Sequence, residues 1–328
     1  ASRLSHRLNK SGFRAPPHIT CNKDTFYGVG TNPVIAVFTA HEPHDAEKVC
    51  KFIDFRDDGY EVRAHIGLVE GDSAKDKRQH LLDVWNGRAD APSKFCVEST
   101  VSPQDEWLHS FFYFNDEIPS DADFEKAIGD YLSFEFSMVM QNRENLFEKE
   151  NKIGKLVSIP DLSTKDWLPI NLVDYFEMKR GRESNMALLG KGETPLVSAK
   201  SINNGVKAFV KTTKSIVSGN CITLNNDGDG GAGLAFYQPH EMALDTHVTA
   251  LIPKQSISCY SMLFISRCIS SLHGFFGHGL SISSSRAKRI KVMMPVNSSK
   301  EPDFKYMDQY VRNLMIKKYI QYLNHLNL

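Results

Sequence analysis

The sequence predicts an α/β unit followed by a mixed, strand-rich α+β domain that closes with a helix. Three observations carry this expectation. Residues 25–150 alternate apolar runs of strand length with two amphipathic helical segments. Beyond residue 155 the chain turns to short strands punctuated by Gly, Asn and Ser. At the end, Phe304, Met307, Val311 and Leu314 follow the 3,4,3 spacing of a helix seam. With 328 residues, 41% of them hydrophobic, the chain is long enough for about two domains and excludes disorder and small disulfide scaffolds.

The formal charge is zero, 39 basic against 39 acidic residues. Divided near residue 150, it becomes 17 Lys+Arg with 26 Asp+Glu before the break and 22 with 13 after it, or −9 and +9. Two oppositely charged halves point to two tasks, an acidic half facing protein and a basic half facing phosphates.

The first 24 residues form a basic, weakly patterned leader. Next, Gly28-Val29-Gly30-Thr31-Asn32-Pro33 is a turn cluster feeding 34–39, an apolar, β-branched run expected to be a buried strand. A second strand at 48–55 closes at the turn Asp57-Asp58-Gly59. Residues 73–85 read as a helix with Leu81, Leu82, Val84 and Trp85 on one side and Gly87 as its left-handed cap. A strand at 95–101 follows. The second helix opens at Ser120 with Asp123 three residues on, and its expected apolar face is Phe124, Ile128, Tyr131, Leu132, Phe136, Val139 and Met140.

The charged, apolar-poor stretch 141–155 sets the expected boundary. In the second domain, 155–300, strands are expected at 167–176, 194–198, 206–210, 221–224, 234–237, 246–252 and 288–294, with one helix at 261–272. The helix of 301–328 opens at Pro302-Asp303, and its seam fits either a partner helix, permitting a homodimer, or the chain's own core.

Cys21, Cys50, Cys96, Cys221, Cys259 and Cys268 are scattered with no CxxC pair, which suits reduced core thiols in a cytoplasmic protein. No membrane partner is expected, since no run has the apolar length of a span. Ala rather than Met at position 1 suggests a processed product or a piece of a longer polypeptide.

Asn225-Asn226-Asp227-Gly228-Asp229-Gly230 has the oxygens and sixth-place glycine of a calcium loop, but the twelfth position is Phe236 instead of a bidentate Glu. Ala232-Gly233-Leu234 rather than Gly-Lys-Ser follows it, so a phosphate loop fails too. A tight glycine hairpin between two strands is the expectation, and no metal is assigned. Asp161 after Pro160, with Glu177 and Lys179, fits the loose Pro-Asp, Glu-x-Lys pattern of Mg²⁺-dependent nucleases, in which carboxylates hold the metal and the Lys stabilises developing charge. Ordinary solvated charges beside a strand fit that spacing equally. The histidines show no zinc spacing, His41 and His44 reading as loop residues, and there is no Gly-x-Ser-x-Gly elbow.

Basic residues recur beyond 155: Lys179, Arg180 and Arg182; Lys200, Lys207, Lys211 and Lys214 around Asn203-Asn204-Gly205; and Arg286, Lys288, Arg289 and Lys291. Residues 251–300 hold seven Lys+Arg and no Asp or Glu, a one-signed stretch suited to phosphates. Ser198, Asn225 and Asn226 stand in the loops that would offer polar groups to base edges.

From Trp167 to Met307 the order of features resembles the target recognition domain of restriction-modification specificity subunits, in type I systems and their BcgI-like relatives. The carriers are Val173-Asp174-Tyr175-Phe176-Glu177 with Arg180-Gly181-Arg182, Thr194-Pro195-Leu196-Val197-Ser198-Ala199-Lys200 with Asn203-Asn204-Gly205-Val206, and Gly219-Asn220-Cys221-Ile222-Thr223-Leu224 with the glycine hairpin and Phe236-Tyr237. Ile290-Lys291-Val292-Met293-Met294-Pro295 and Pro302-Asp303 complete the set. Residues 26–147 look similar to the C-terminal part of type I adenine-N6 DNA methyltransferase subunits, on Gly28 to His41, Asp57-Asp58-Gly59-Tyr60, Asp105-Glu106-Trp107 and Asp123-Phe124. That family's glycine-rich S-adenosylmethionine loop and Asn-Pro-Pro-aromatic motif do not occur in this sequence, and Asn32-Pro33-Val34 lacks the second Pro and the aromatic.

The resemblance implies a methyltransferase-like α/β remnant joined to a DNA target recognition domain. Its implied partners are double-stranded DNA and methyltransferase and restriction subunits. S-adenosylmethionine and Mg²⁺ would belong to partner domains, with no cofactor bound by this chain. The alternative is an enzyme fragment: a methyltransferase whose cofactor domain lies upstream, or the nuclease of Glu177 and Lys179.

Overall fold

The computed structural model describes residues 18–26, 31–39, 41, 44–147, 154–184, 186–228, 231–276 and 281–325. The leader to residue 17, Gly28-Val29-Gly30, Glu42-Pro43, Asp229-Gly230 and the middle of the charged stretch at 148–153 lie outside the described residues. Two compact units divide the chain, the first ending at Phe114 and the second starting at Asn115.

In the first unit, β1 (His18–Cys21) pairs antiparallel with β2 (Val34–Ala36) and parallel with β3 (Cys50–Phe55). The sequence of the unit continues with the hairpin β4 (Tyr60–Arg63) and β5 (Gly67–Glu70), helix α1 (Ala74–Trp85), β6 (Cys96–Ser99) antiparallel to β3, and the single turn α2 (His109–Phe112). Because strand side chains alternate, β3 serves two small cores. Phe52 packs with Cys50, Val101 and Trp107, while Ile53 packs with Ile19 and Val84. Gly87 has the expected left-handed backbone, φ +69°. The run 34–39 departs from expectation: only three residues are strand and all three are exposed, since β2 is an edge that pairs on one side alone. Leu82 also faces out of α1.

The second unit opens with α3 (Asp121–Met140), started by a capping box in which Ser120 and Asp123 each accept the other's backbone N–H. Its buried face is Phe124, Ile128, Tyr131, Phe134 and Met138. Phe136, Val139 and Met140, expected inside, are exposed, because the i+3, i+4 line from Tyr131 continues through Phe134 and Met138 and turns them outward. Phe124 stacks near Phe264 at 4.3 Å and meets the edge of Tyr310 at 5.3 Å, and Arg267 pairs with Asp123 at 2.8 Å. This packing places α3 in the second unit, so the division in contacts falls well ahead of the change in composition at 141–155.

The acidity moves with the helix. Residues 1–114 hold 14 Lys+Arg and 16 Asp+Glu, and 115–328 hold 25 and 23. Neither unit is strongly charged, and the expectation of an acidic unit set against a basic one is corrected: the excess acid lies in 115–150, alongside the basic segments of the second unit.

That unit continues through β7 (Trp167–Asn171), the turn α4 (Leu172–Tyr175), β8 (Phe176–Arg180), β9 (Lys191–Val197), β10 (Val206–Val210), β11 (Ile216–Val217), β12 (Cys221–Asn225), β13 (Ala235–Gln238), β14 (Met242–Leu244) and β15 (Val248–Pro253). Then follow α5 (Cys259–Ser270), α6 (Ser284–Ala287), β16 (Lys291–Pro295) and α7 (Phe304–His325). One sheet has the order β13-β12-β15-β8, a second β10-β9-β14-β11, and β16 pairs with β7. The expected strand 167–176 breaks at α4, and β8, β11 and β14 come in addition.

One large core unites this unit, and α5, apolar nearly all round, sits within it. Ser258 caps α5 by accepting from Ser261 N. Met307, Val311 and Leu314 of the α7 seam are buried inside the chain, with Tyr310 against Phe264 and Arg312 over the Tyr260 ring. The seam is therefore filled intramolecularly. From Tyr319 to Leu323 the helix is exposed. All six cysteines are free, Cys50, Cys221 and Cys268 being buried. Among the described residues no helix is long and apolar enough to cross a membrane.

Candidate nucleic-acid interface

Antiparallel pairing of β12 with β15, and of β15 with β8, places Asn225, Val248 and Arg180 at one end of the sheet. Besides the 245–247 turn that joins β14 to β15, loops from five distant places in the sequence leave or pass this end. After β8, Gly181 N donates to Val248 O (2.9 Å), and Arg180 Nε donates to Thr246 O (3.0 Å). Only glycine fits at 181, where a Cβ would lie 2.0 Å from the Asp245 carbonyl. Arg182 N donates to Ser215 Oγ (3.0 Å), which brings the Lys214 loop alongside. Asn226 N donates to His247 O (2.8 Å), Asp227 pairs with His247 at 2.6 Å, and Ile282 N donates to Asn226 O (2.6 Å). The fifth segment is the 198–205 loop, whose Lys200 carbonyl accepts from Asn225 Nδ2 at 2.9 Å.

This loop turns through three consecutive left-handed residues, Asn203 (φ +54°), Asn204 (+51°) and Gly205 (+77°), a conformation asparagine and glycine tolerate best. Asn204 Nδ2 donates to Tyr237 O (2.8 Å), and Gln238 Nε2 donates to Asn204 O (2.9 Å) and Thr223 Oγ1 (3.0 Å). The glycine hairpin is present as expected, joining β12 to β13.

Of the basic residues singled out in the sequence, Lys179, Arg180, Arg182, Lys200, Lys207, Lys211, Lys214, Lys288, Arg289 and Lys291 have exposed side chains, as does Asn203. Arg180, Arg182, Lys214, Lys200 and Asn203 belong to the converging loops. Lys207 and Lys211 ride at β10 and just beyond it, and Lys288, Arg289 and Lys291 lead from α6 into β16. Five expectations are corrected: Ser198, Asn204, Asn225, Asn226 and Arg286 are buried. Asn204 and Asn225 donate through their amides to the Tyr237 and Lys200 carbonyls, and Asn226 Oδ1 accepts from Thr249 Oγ1 (2.9 Å).

Sequence reasoning missed an acidic frame under these cations. Glu183 and Asp245 are buried and bridged side by side. Thr212 Oγ1 donates to Glu183 (3.0 Å) and His247 N to Asp245 (2.8 Å). The nearest sequence signal is their place beside Gly-Arg and Thr-His turns, which any surface carboxylate could share. Behind the 198–205 loop lies a cavity of about 670 Å³ whose wall includes Asp123, Lys126 and Asp130 of α3 and Arg267 of α5.

The nuclease alternative gains no assembled centre. Glu177 is exposed on β8, Lys179 Nζ donates to Ile216 O (3.1 Å), and Asp161 precedes a short turn at 162–164. Among the described residues no group of three or more His, Cys, Asp and Glu side chains is placed to hold a metal ion.

The segment carrying every one of these loops, residues 164–325, matches the family described as type I restriction modification DNA specificity domain. Residues 164–325, just under half of the chain, are therefore similar to such a specificity domain. The chain is also 48% identical over 130 residues to the type II restriction enzyme and methyltransferase RM.BcgI of Heyndrickxia coagulans, a match covering 40% of this chain and 20% of that protein. It is 24% identical over 193 residues to the type II restriction enzyme specificity subunit S.BcgI of the same organism, covering 58% of this chain and 55% of that one. The chain thus spans about a fifth and about half of the lengths of these two relatives. A crystal structure of a type I restriction-modification S subunit from M. genitalium aligns over 71% of this chain and 72% of its own, at 14% identity and a TM-score of 0.35, too low to support a closer comparison than the family match gives. Among the described residues of this segment, the loop cluster gathers exposed cations from several distant stretches of sequence.

Proposed function

We propose that the specificity domain reads a DNA sequence on behalf of a restriction-modification system, through the loop end of the β13-β12-β15-β8 sheet. The observation that carries this reading is the convergence of Arg180, Arg182, Lys200, Asn203 and Lys214 within a segment that matches the DNA specificity family. Arg180, Arg182, Lys200 and Lys214 supply phosphate contacts that position a duplex, and the 198–205 loop and the glycine hairpin supply the polar groups and close backbone that meet base edges. Lys288, Arg289 and Lys291 extend the phosphate track.

We read the first unit as the closing part of an adenine-N6 methyltransferase, on the motif resemblance of residues 26–147, and the RM.BcgI likeness over 130 residues is compatible with that reading. The loop that would hold S-adenosylmethionine and the Asn-Pro-Pro-aromatic motif do not occur in this sequence. No step of methyl transfer is therefore assigned to its residues, and S-adenosylmethionine and Mg²⁺ belong to partner domains or subunits. A second copy pairing through the C-terminal helix would use its exposed Tyr319–Leu323 turn, since the earlier seam is filled. A cytoplasmic location suits this reading, since six free thiols are stable there.

The test is selection from random-sequence duplexes followed by gel shift. An enriched motif, with affinity falling steeply as salt rises, is the expected result. Binding that enriches nothing would refute sequence readout.

A further inference from the structure

We infer that Asn225 is a positioning residue for sequence readout, tying the 198–205 loop to the glycine hairpin so that both meet a duplex as one rigid piece. This deepens the DNA-reading function proposed above and rests on it. Asn225 ends β12 with no exposed surface. Its backbone N–H donates to Leu234 O (2.9 Å) and its carbonyl accepts from Gly233 N (3.0 Å), which closes the base of the hairpin. Its side chain reaches the other way, with Nδ2 on the Lys200 carbonyl. One residue thus holds one loop by its main chain and the neighbouring loop by its amide.

Shape closes the same seam. A Cβ at Gly231 would stand 3.0 Å from the Ala199 carbonyl oxygen, and one at Gly228, where φ is +104°, 3.2 Å from it. Neither position has room for a side chain without moving the 198–205 loop. That loop's far end is anchored on the same hairpin stem, by Asn204 on the Tyr237 carbonyl and by Gln238 on Asn204 O. The exposed residues of the loop, Lys200, Ser201, Ile202 and Asn203, run from the first anchor to the second. A duplex would touch these and not Asn225, so any effect of Asn225 on readout passes through loop geometry. Ordering the loops on folding rather than on binding is what lets a site discriminate between nearly equivalent base edges.

The experiment uses the full chain, the duplex the wild-type protein selects and a scrambled duplex as competitor. Asn225→Asp keeps the size of the side chain and sets a carboxylate against the Lys200 carbonyl. Gly231→Ala leaves the Asn225 amide in place and displaces Ala199. In both, the ratio of selected to scrambled affinity falls about tenfold or more, the scale of a mismatched base pair. The salt dependence stays that of the wild type, because no phosphate-binding cation has changed. Lys200→Gln gives the opposite pattern, a shallower salt dependence with the ratio retained.

If the wild-type chain selects no sequence, the proposed function fails and this inference with it. If it does, and a folded Asn225→Asp or Gly231→Ala protein keeps the wild-type ratio, the inference alone is overturned. Hydrogen exchange on the wild-type chain decides the matter without any variant. Amides of 198–205 and of the described hairpin residues exchanging as one protected group are expected, and independent, unprotected exchange overturns the coupling.

Discussion

The two units build their interiors differently. The first relies on two small clusters on opposite faces of β3, with His18 buried between Phe52, Phe38 and Trp107. In the second, the main cluster runs through three sheets and three helices, with Phe264 touching Phe124, Trp167 and Tyr310 near its middle, beside a small one of Leu196, Val210 and Ala243. The contrast teaches that a wide apolar core can carry a cap of buried polar residues, Asn225, Asn226, Glu183 and Asp245 among them, at one end of its sheet. A unit with little apolar depth has no such reserve, and a single buried polar side chain governs more of its stability.

The sharpest way to break this comparison is Phe264→Ala. Removing a ring shared by α3, β7 and α7 costs about 3–5 kcal/mol. Chemical denaturation should register the loss in the second unit while the first unit's transition stays in place. If both transitions shift together, the cores are not separate.

Acid should act in the reverse sense. Burial, with a smaller contribution from His44, lowers the His18 pKa to about 4 from its ordinary 6.5. The folded first unit therefore holds the neutral imidazole, and the unfolded chain binds the extra proton. The stability contribution is complete above about pH 6.5 and is lost as the pH falls from there to about 4, by up to ~3 kcal/mol. His109, also lowered chiefly by burial, adds to the same trend. Denaturation of the first unit at pH 7 and pH 5 measures the loss, and His18→Phe should remove most of it. An unchanged pH dependence in that variant would exclude His18 as the cause.

The smallest effect tests the start of α3. Ser120→Ala removes the capping oxygen and should cost about 1 kcal/mol, seen in the second unit's transition and not the first's. That result would confirm energetically that α3 folds with the residues after it.

Local chemistry was legible in the sequence. The Ser120–Asp123 box and Gly87 marked helix ends to within a residue, and short apolar runs between glycines and asparagines located most strands of the second unit. What escaped was long-range. Glu177-Met178-Lys179-Arg180 reads as solvated charge, yet it is an edge strand whose backbone pairs with β15. Asparagines 204, 225 and 226 read as surface polar groups, because nothing local reveals that a neighbouring loop supplies their partners. The charge of 115–150 was assigned by position in the chain, whereas Phe124 and Asp121 are held by α5 and α7 far downstream.

The cavity behind the 198–205 loop acquires a meaning from that reassignment. Its wall combines loop residues 201–204 with Asp123 and Asp130 of α3, carboxylates already paired to Arg267 and Lys126. A phosphate backbone over this side would meet ion pairs of no net charge, whose cations are already engaged by carboxylates. Under the proposed reading, this flank of the loops therefore offers a duplex little attraction, and the side of Arg180, Arg182 and Lys214 is the approach of lower energy.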